Sequence, residues 1–227
     1  MGYDYDAVGN RLVQNDGGQL TTSTYDAASQ LVTETALAGV TSYLYDADGN
    51  RSRKESPTAL TLYDWDEDNR LITAQPPAGD VGFQYNALGQ RVEKEVQSSG
   101  ETRKFIYDMT RLLMETDDAG DTERAYTATI QEYGDLVSEY DEGSGQSAFH
   151  QYDALGSTDA LLDADETATD RYQYRAFGLA THETGTSDSP FTFVGKQNYY
   201  RDPELELYYL GMGGSAAGGS YSAAPSP

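Results

Sequence analysis

Along this chain, apolar and polar positions alternate in short runs that never lengthen. LTLYDW at 60–65, TSYLYD at 41–46 and RKFIYD at 103–108 are rich in aromatic and β-branched residues. That composition suits strands with one half-buried surface. In ELELYYL, Leu205 and Leu207 alternate with Glu204 and Glu206, the period of a strand. No segment carries apolar residues at helical spacing between caps. Turn signals recur at NDGG 15–18, AG 38–39, SP 56–57, PPAG 76–79, SSG 98–100 and DDAG 117–120. A second set, described next, falls between them. The chain therefore reverses about every ten residues, which leaves strands near the usual ~5–6 residues. The expectation is an all-β chain of antiparallel hairpins with one apolar and one polar face.

The second set of turns is a repeat. An aromatic anchor stands before an acidic or amide residue at Tyr5, Tyr25, Tyr45, Trp65, Tyr85 and Tyr107, at intervals of 20, 20, 20, 20 and 22 residues. Further copies follow at Tyr152 and, weakened, at Tyr174. The next residue is Asp6, Asp26, Asp46, Asp66, Asn86, Asp108, Asp153 and finally Arg175. Two forms alternate. Copies at Tyr5, Tyr45 and Tyr85 carry Gly9, Gly49 and Gly89, each followed by an amide residue and then Arg11, Arg51 or Arg91. Those at Tyr25 and Trp65 go straight to a polar residue and Leu, as YDAASQL and WDEDNRL. Asp opens an Asx turn by accepting downstream backbone N–H groups. Gly supplies positive φ without steric cost. Asn69 can take the same backbone state, and Ser29 takes it less easily. Tandem identity of the turn points to a repeat architecture rather than an ordinary sandwich. The residues that define it are the anchors with Asp6, Gly9, Asp26, Asp46, Gly49, Asp66, Gly89, Asp108, Asp153, Gly156 and Gly178.

Charge narrows the partners. With 15 basic and 38 acidic residues in 227, the formal charge is 15 − 38 = −23. Nucleic-acid binding needs clustered Lys and Arg, so no nucleic acid is expected, nor an anionic membrane surface. No apolar run approaches the ~20 residues of a membrane span, so no membrane insertion is expected. The start shows no basic and apolar leader, which leaves export by a machine that reads no such signal. There is no cysteine, which excludes disulfides and thiolate chemistry. Tyrosine is abundant, with 19 copies against 6 Phe and 1 Trp.

YDAVGNRL, YDADGNR and WDEDNRL resemble the tyrosine-aspartate (YD) repeats of the Rhs family and of teneurin extracellular domains. YDALGSTDALLDADETATDRYQYRAFG at 152–178 resembles the start of the Rhs-associated core. PFTFVGKQNYYRDPELELYYLG at 190–211 is similar to the next family segment. The resemblance implies a YD-repeat region over 1–140, a partial Rhs-associated core over 141–211 and a flexible Gly/Ser/Ala/Pro tail over 212–227. It implies a spiralling β-sheet, part of a shell that encloses or displays a C-terminal toxin in polymorphic toxin systems. Such proteins are secreted or reach the cell surface, and their partners are neighbouring YD segments or the enclosed toxin. Some treatments of the family make the repeats carbohydrate-binding, which gives the alternative of a module for cell-surface glycans. In the family a strand and a second D-P motif follow DPELELYYLG and supply aspartates for self-cleavage. Here MGGSAAGGSYSAAPSP follows instead. Asp202 belongs to the earlier segment and takes no catalytic role. The expectation is a non-catalytic chain, either a piece of a longer one or a short stand-alone copy.

Other candidates weigh less. DWDEDN at 64–69 and DADGN at 46–50 open like calcium loops, but the twelfth position holds Gln75 or Pro57 rather than Glu, so no metal and no cofactor is expected. LLDADET at 161–167 has no better claim. His150 and His182 sit in no catalytic motif. Arg11, Arg51 and Arg91 share one repeat position and are expected to pair with nearby acids. The Tyr column is expected to pack across strands.

Overall fold

In a computed structural model, described for residues 1–130, 135–174, 180–210 and 220–223, the chain forms two compact units, Met1–Asp80 and Val81–Pro227. The first unit holds β1 (Gly2–Tyr5), β2 (Arg11–Asp16), β3 (Gln19–Tyr25), β4 (Leu31–Ala36), β5 (Gly39–Tyr45), β6 (Arg51–Glu55), β7 (Leu60–Trp65) and β8 (Leu71–Gln75). Each pairs antiparallel with the next. The second holds β9 (Val81–Tyr85), β10 (Arg91–Val96), β11 (Glu101–Asp108), β12 (Arg111–Thr116), β13 (Thr122–Ala128), β14 (Leu136–Asp141), β15 (Gln146–Tyr152), β16 (Thr158–Leu162), β17 (Ala168–Tyr174) and β18 (Ala180–Thr184), likewise paired in order. A smaller sheet follows, made of β19 (Tyr200–Asp202), β20 (Leu207–Leu210) and β21 (Ser220–Ala223). The fold is all-β, as its period-two pattern requires. Residue 140, where the motifs change, lies inside β14, and β21 lies within the stretch expected as a tail.

The repeated turns share one geometry. In the first, Asp6 N–H donates to Asn10 O at 2.9 Å and Gly9 N–H donates to Asp6 O at 3.2 Å. The Asp6 carboxylate accepts Val8 N–H at 3.0 Å and Asn10 N–H at 2.8 Å. Asp26, Asp46, Asp66, Asn86 and Asp153 repeat both carboxyl or amide contacts. The fourth residue of each turn is left-handed: Gly9 φ 94, Ser29 φ 61, Gly49 φ 88, Asn69 φ 59, Gly89 φ 78 and Gly156 φ 91. Ser29 thus takes the state despite its Cβ, because the turn's hydrogen bonds outweigh the ~1–2 kcal/mol of left-handed strain. Asp163 builds the same turn with Glu166 at φ 62, without an aromatic before it or Gly after it. Gly178 lies outside the described residues.

Two expectations change. The strand expected from Glu204 begins at Leu207, because Pro203–Glu206 is a turn in which Glu206 has φ 53. Leu205 and Leu207 are both buried even so. The hairpins also lack a clean apolar face. The buried face carries Ser23, Glu34, Lys94, Glu115, Arg124, Glu139 and Asp170, while Leu20, Val40, Leu44 and Ile106 are exposed. Charges go inside here because they find partners, either within the sheet, as Glu34 does in Arg11 and Glu115 in Arg103, or on the C-terminal segment, as Lys94 does in Asp202.

The turn carboxylates give a first test. Burial opposes ionisation of Asp66, but N–H donors from Arg70 and Asp68 and the Arg70 charge outweigh it and hold the carboxyl below its ordinary range. A lowered carboxyl stabilises above its unfolded pKa, and the contribution is lost as pH falls through the folded value. Asp66→Ala is expected to cost about 1 kcal/mol at neutral pH, with the deficit shrinking below pH ~4. Asp66→Asn, which keeps the acceptor as Asn86 does, costs less. Urea unfolding at both pH values checks this.

Candidate functional site

At the turn edge, five anchors reach sideways. Tyr25 OH donates to Arg11 O at 3.1 Å, Tyr45 OH to Leu31 O at 3.0 Å and Trp65 Nε1–H to Arg51 O at 2.8 Å. Tyr152 OH donates to Leu136 O and Tyr174 OH to Thr158 O, both at 2.7 Å. Each acceptor is the residue at a register shift in the preceding hairpin. A second ladder joins neighbouring turns: Asn10 to Ser29, Gln30 to Gly49 O, Asn50 to Asn69 and Gln90 to Met109 O. Tyr85 and Tyr107 pack against the second unit's apolar cluster, and Tyr5 is half exposed beside Tyr3. The Asp108 carboxylate pairs with Arg111.

The second unit has a site that repeat logic alone does not disclose. The segment from Ser187 to Leu210 lies across the buried face of its strands. Ser187 N–H donates to Asp170 at 2.8 Å, Arg124 donates to Asp188 at 2.6 Å and Ser189 Oγ–H donates to Glu139 at 2.8 Å. Thr158 N–H donates to Thr192 O at 2.9 Å, and its hydroxyl donates to Phe191 O at 2.7 Å. That hydroxyl has one proton, so its 3.1 Å contact with His150 makes His150 Nδ1 the donor. His150 Nε2 then faces the Glu139 carboxylate at 3.6 Å. Phe191 and Tyr200 meet edge to face at 5.5 Å, and Phe191 meets Tyr126 at 5.2 Å.

At the far end stands a buried ion cluster. Arg91 Nη1 donates to Asp202 Oδ2 at 2.6 Å; the two side chains are 1% and 0% exposed. Lys94 Nζ bridges Asp202 Oδ1 at 3.2 Å and Glu204 at 2.8 Å. The Arg91 guanidinium lies 4.5–5.4 Å from the ring centroids of Phe83, Phe105, Tyr200 and Tyr209. Arg91 N–H also donates to Tyr209 OH at 2.9 Å. Two cations and two carboxylates balance there, inside an aromatic cage.

Next to it, fully buried Glu115 accepts Tyr126 OH at 2.6 Å, Arg103 at 3.0 Å and Tyr200 OH at 3.3 Å. Burial, and after it the Glu115 charge, hold the Tyr126 and Tyr200 phenols far above their ordinary range. Both stay donors at any physiological pH. Burial likewise pushes Tyr172 up to about 12. The site is a set of fixed ion pairs and donors that clamp one chain segment on a sheet.

Arg11, Arg51 and Arg91, alike in sequence, differ in partner: Glu34 at 3.2 Å for Arg11, the Tyr43 ring at 4.8 Å for Arg51, and Asp202 for Arg91. The clamp residues Lys94, Arg103 and Arg124 were missed. Their signal was charge in strand phase with apolar neighbours, as in Val92, Lys94, Val96 and in Arg103, Phe105.

Removing one partner of a buried pair typically costs ~3–5 kcal/mol. Asp202→Asn is expected to cost more than Arg91→Gln, because it leaves two buried cations while the other leaves Asp202 with Lys94. Equal losses in urea unfolding would contradict the shared role of Asp202.

The sequence profile of the family described as Teneurin YD-shell matches residues 1–215. Among solved structures, TcdB2-TccC3-TEV aligns over 91% of this chain and 15% of its own, at 15% identity and TM-score 0.48. TcdB2-TccC3 aligns over 91% of this chain and 15% of its own, at 16% identity and TM-score 0.47. A Tc holotoxin pore of Photorhabdus luminescens with a mutated TccC3 aligns over 91% and 14%, at 16% identity and TM-score 0.47. This chain thus spans only 14–15% of the length of those proteins. No curated protein matches it. With the profile running from residue 1 to residue 215, over turns and anchors that repeat one geometry, the chain belongs to the Teneurin YD-shell family.

Proposed function

We infer that this chain is a non-catalytic wall segment of a YD-shell, and that Ser187–Leu210 seals the buried face of its own second unit. The observation that carries this is the Arg91–Asp202 pair, closed over by Tyr200 and Tyr209. A segment held at Asp202 by a buried ion pair and at Ser189, Phe191 and Thr192 by hydrogen bonds to the strands is architecture rather than a mobile arm. In a complete shell such a wall would enclose or display a polypeptide effector. That reading places the chain in a polymorphic toxin system, secreted or on the cell surface. The glycan alternative gains nothing from the anchors, because the polar atoms of Tyr25, Tyr45, Trp65, Tyr152 and Tyr174 are spent on backbone carbonyls.

Arg201 is exposed in the middle of the sealed segment, with its N–H bonded to Pro190 O at 2.9 Å. Trypsin is expected to cut after Arg201 slowly in the native chain and much faster in Arg91→Gln. Overnight incubation of the pure chain at neutral pH is expected to leave its mass unchanged. Rapid cutting at Arg201 in the native chain would contradict the seal, and a spontaneous fragment would contradict the absence of catalysis.

A further inference from the structure

The cation site that Asp202 fills is only half supplied by the C-terminal segment. The strands provide Arg91, Lys94 three residues on, and the rings of Phe83 and Phe105. The segment provides Asp202, Tyr200 and Tyr209. The half that comes from the strands occurs a second time. Forty residues earlier, Arg51, Lys54 and Tyr43 stand where Arg91, Lys94 and Phe83 do, and Tyr63 stands two residues before the anchor Trp65 as Phe105 stands two before Tyr107. Backbone register keeps the correspondence, since Tyr43 faces Lys54 across β5 and β6 as Phe83 faces Lys94 across β9 and β10. Tyr43 and Tyr63 are buried, at 4% and 5% exposure.

One component differs. Arg11 finds a carboxylate within its own sheet, Glu34, and Arg91 finds Asp202. The Arg51 guanidinium lies over the Tyr43 ring, and its Nε, like that of Arg91, is buried without a hydrogen-bond partner. Among the described residues no carboxylate forms an ion pair with it. A half-buried cation with no carboxylate paired to it is unfavourable, and a ring beneath it compensates only in part.

We propose that Arg51, on the buried face of the first unit, is a docking point for an acidic and aromatic segment of a partner polypeptide. The segment is extended, its Asp takes the Arg51 guanidinium, and its Tyr rings close over the cation. That is the chemistry Tyr200, Asp202 and Tyr209 bring to Arg91, which makes such a segment a better fit than a small anion or a sugar. The inference does not depend on the wall reading, because it concerns a half-site that exists whatever surrounds the chain.

The probe is a fluorescent peptide of sequence YYRDPELELYYL, copied from residues 199–210, titrated into the full chain by anisotropy. Saturable binding is expected. It should weaken roughly tenfold when the peptide's Asp becomes Asn, and roughly tenfold in Arg51→Gln, while Arg51→Lys retains most of it. Exchange of the peptide for the chain's own segment at Arg91 would bind Arg51→Gln as well as the native chain, and would overturn the proposal. So would no saturable binding, or equal binding of the Asn peptide. If Arg51→Gln fails to fold, the Asn peptide and Arg51→Lys still decide.

Discussion

The structure depends on a sideways hydrogen bond from the anchor ring of one hairpin to a backbone carbonyl of the hairpin before it. A two-stranded hairpin is marginal by itself in water. It gains stability by stacking on its neighbours, as repeat units do. The backbone ladder supplies part of that. The turn edge is where the ladder breaks, because each left-handed turn is followed by a register shift. The donors of Tyr25, Tyr45, Trp65, Tyr152 and Tyr174 reach into that break. The aromatic before the Asp therefore belongs to the turn of its neighbour as much as to its own. This explains why ring and turn recur together, and why Trp65, with a single N–H donor, serves in place of Tyr.

A sheet fastened at its edge is free to carry charge on its buried face, provided something closes over it. In the second unit the closing element is Ser187–Leu210, and the face beneath supplies Arg124, Glu139, Glu115, Arg91 and Lys94 as its partners. Buried ion pairs contribute little net stability, because desolvation offsets the Coulomb gain. What they supply is a penalty for any other register of the segment, since a shift would leave each charge buried without its partner. The segment is therefore specified as well as held.

Much of this was legible in residues, and the losses have identifiable causes. The Asp turns were readable because Asx chemistry and positive φ leave a local signature at Asp6 through Gly9 and its copies. Asp163 was missed as a turn because its left-handed residue is Glu166, a type with no preference for that state. The strand expected at Glu204 failed because alternation of Glu and Leu also arises when a turn buries both leucines. The clamp was illegible because Arg91 and Asp202 lie 111 residues apart, and nothing in local spacing connects them. Arg11, Arg51 and Arg91 illustrate the limit most clearly. One motif sets their backbone, and three different neighbourhoods set their partners.

The central claim is that the anchor donors, and not the rings alone, hold neighbouring hairpins together. Urea unfolding of Tyr25→Phe, Tyr45→Phe and Tyr152→Phe against Tyr5→Phe tests it most directly. Tyr5 is half exposed and has no such bond among the described residues. The account predicts a loss of about 1 kcal/mol for each of the first three and almost none for Tyr5→Phe. Four equally stable variants would show that packing suffices and that the hydroxyl-to-carbonyl bonds do not hold the repeats together.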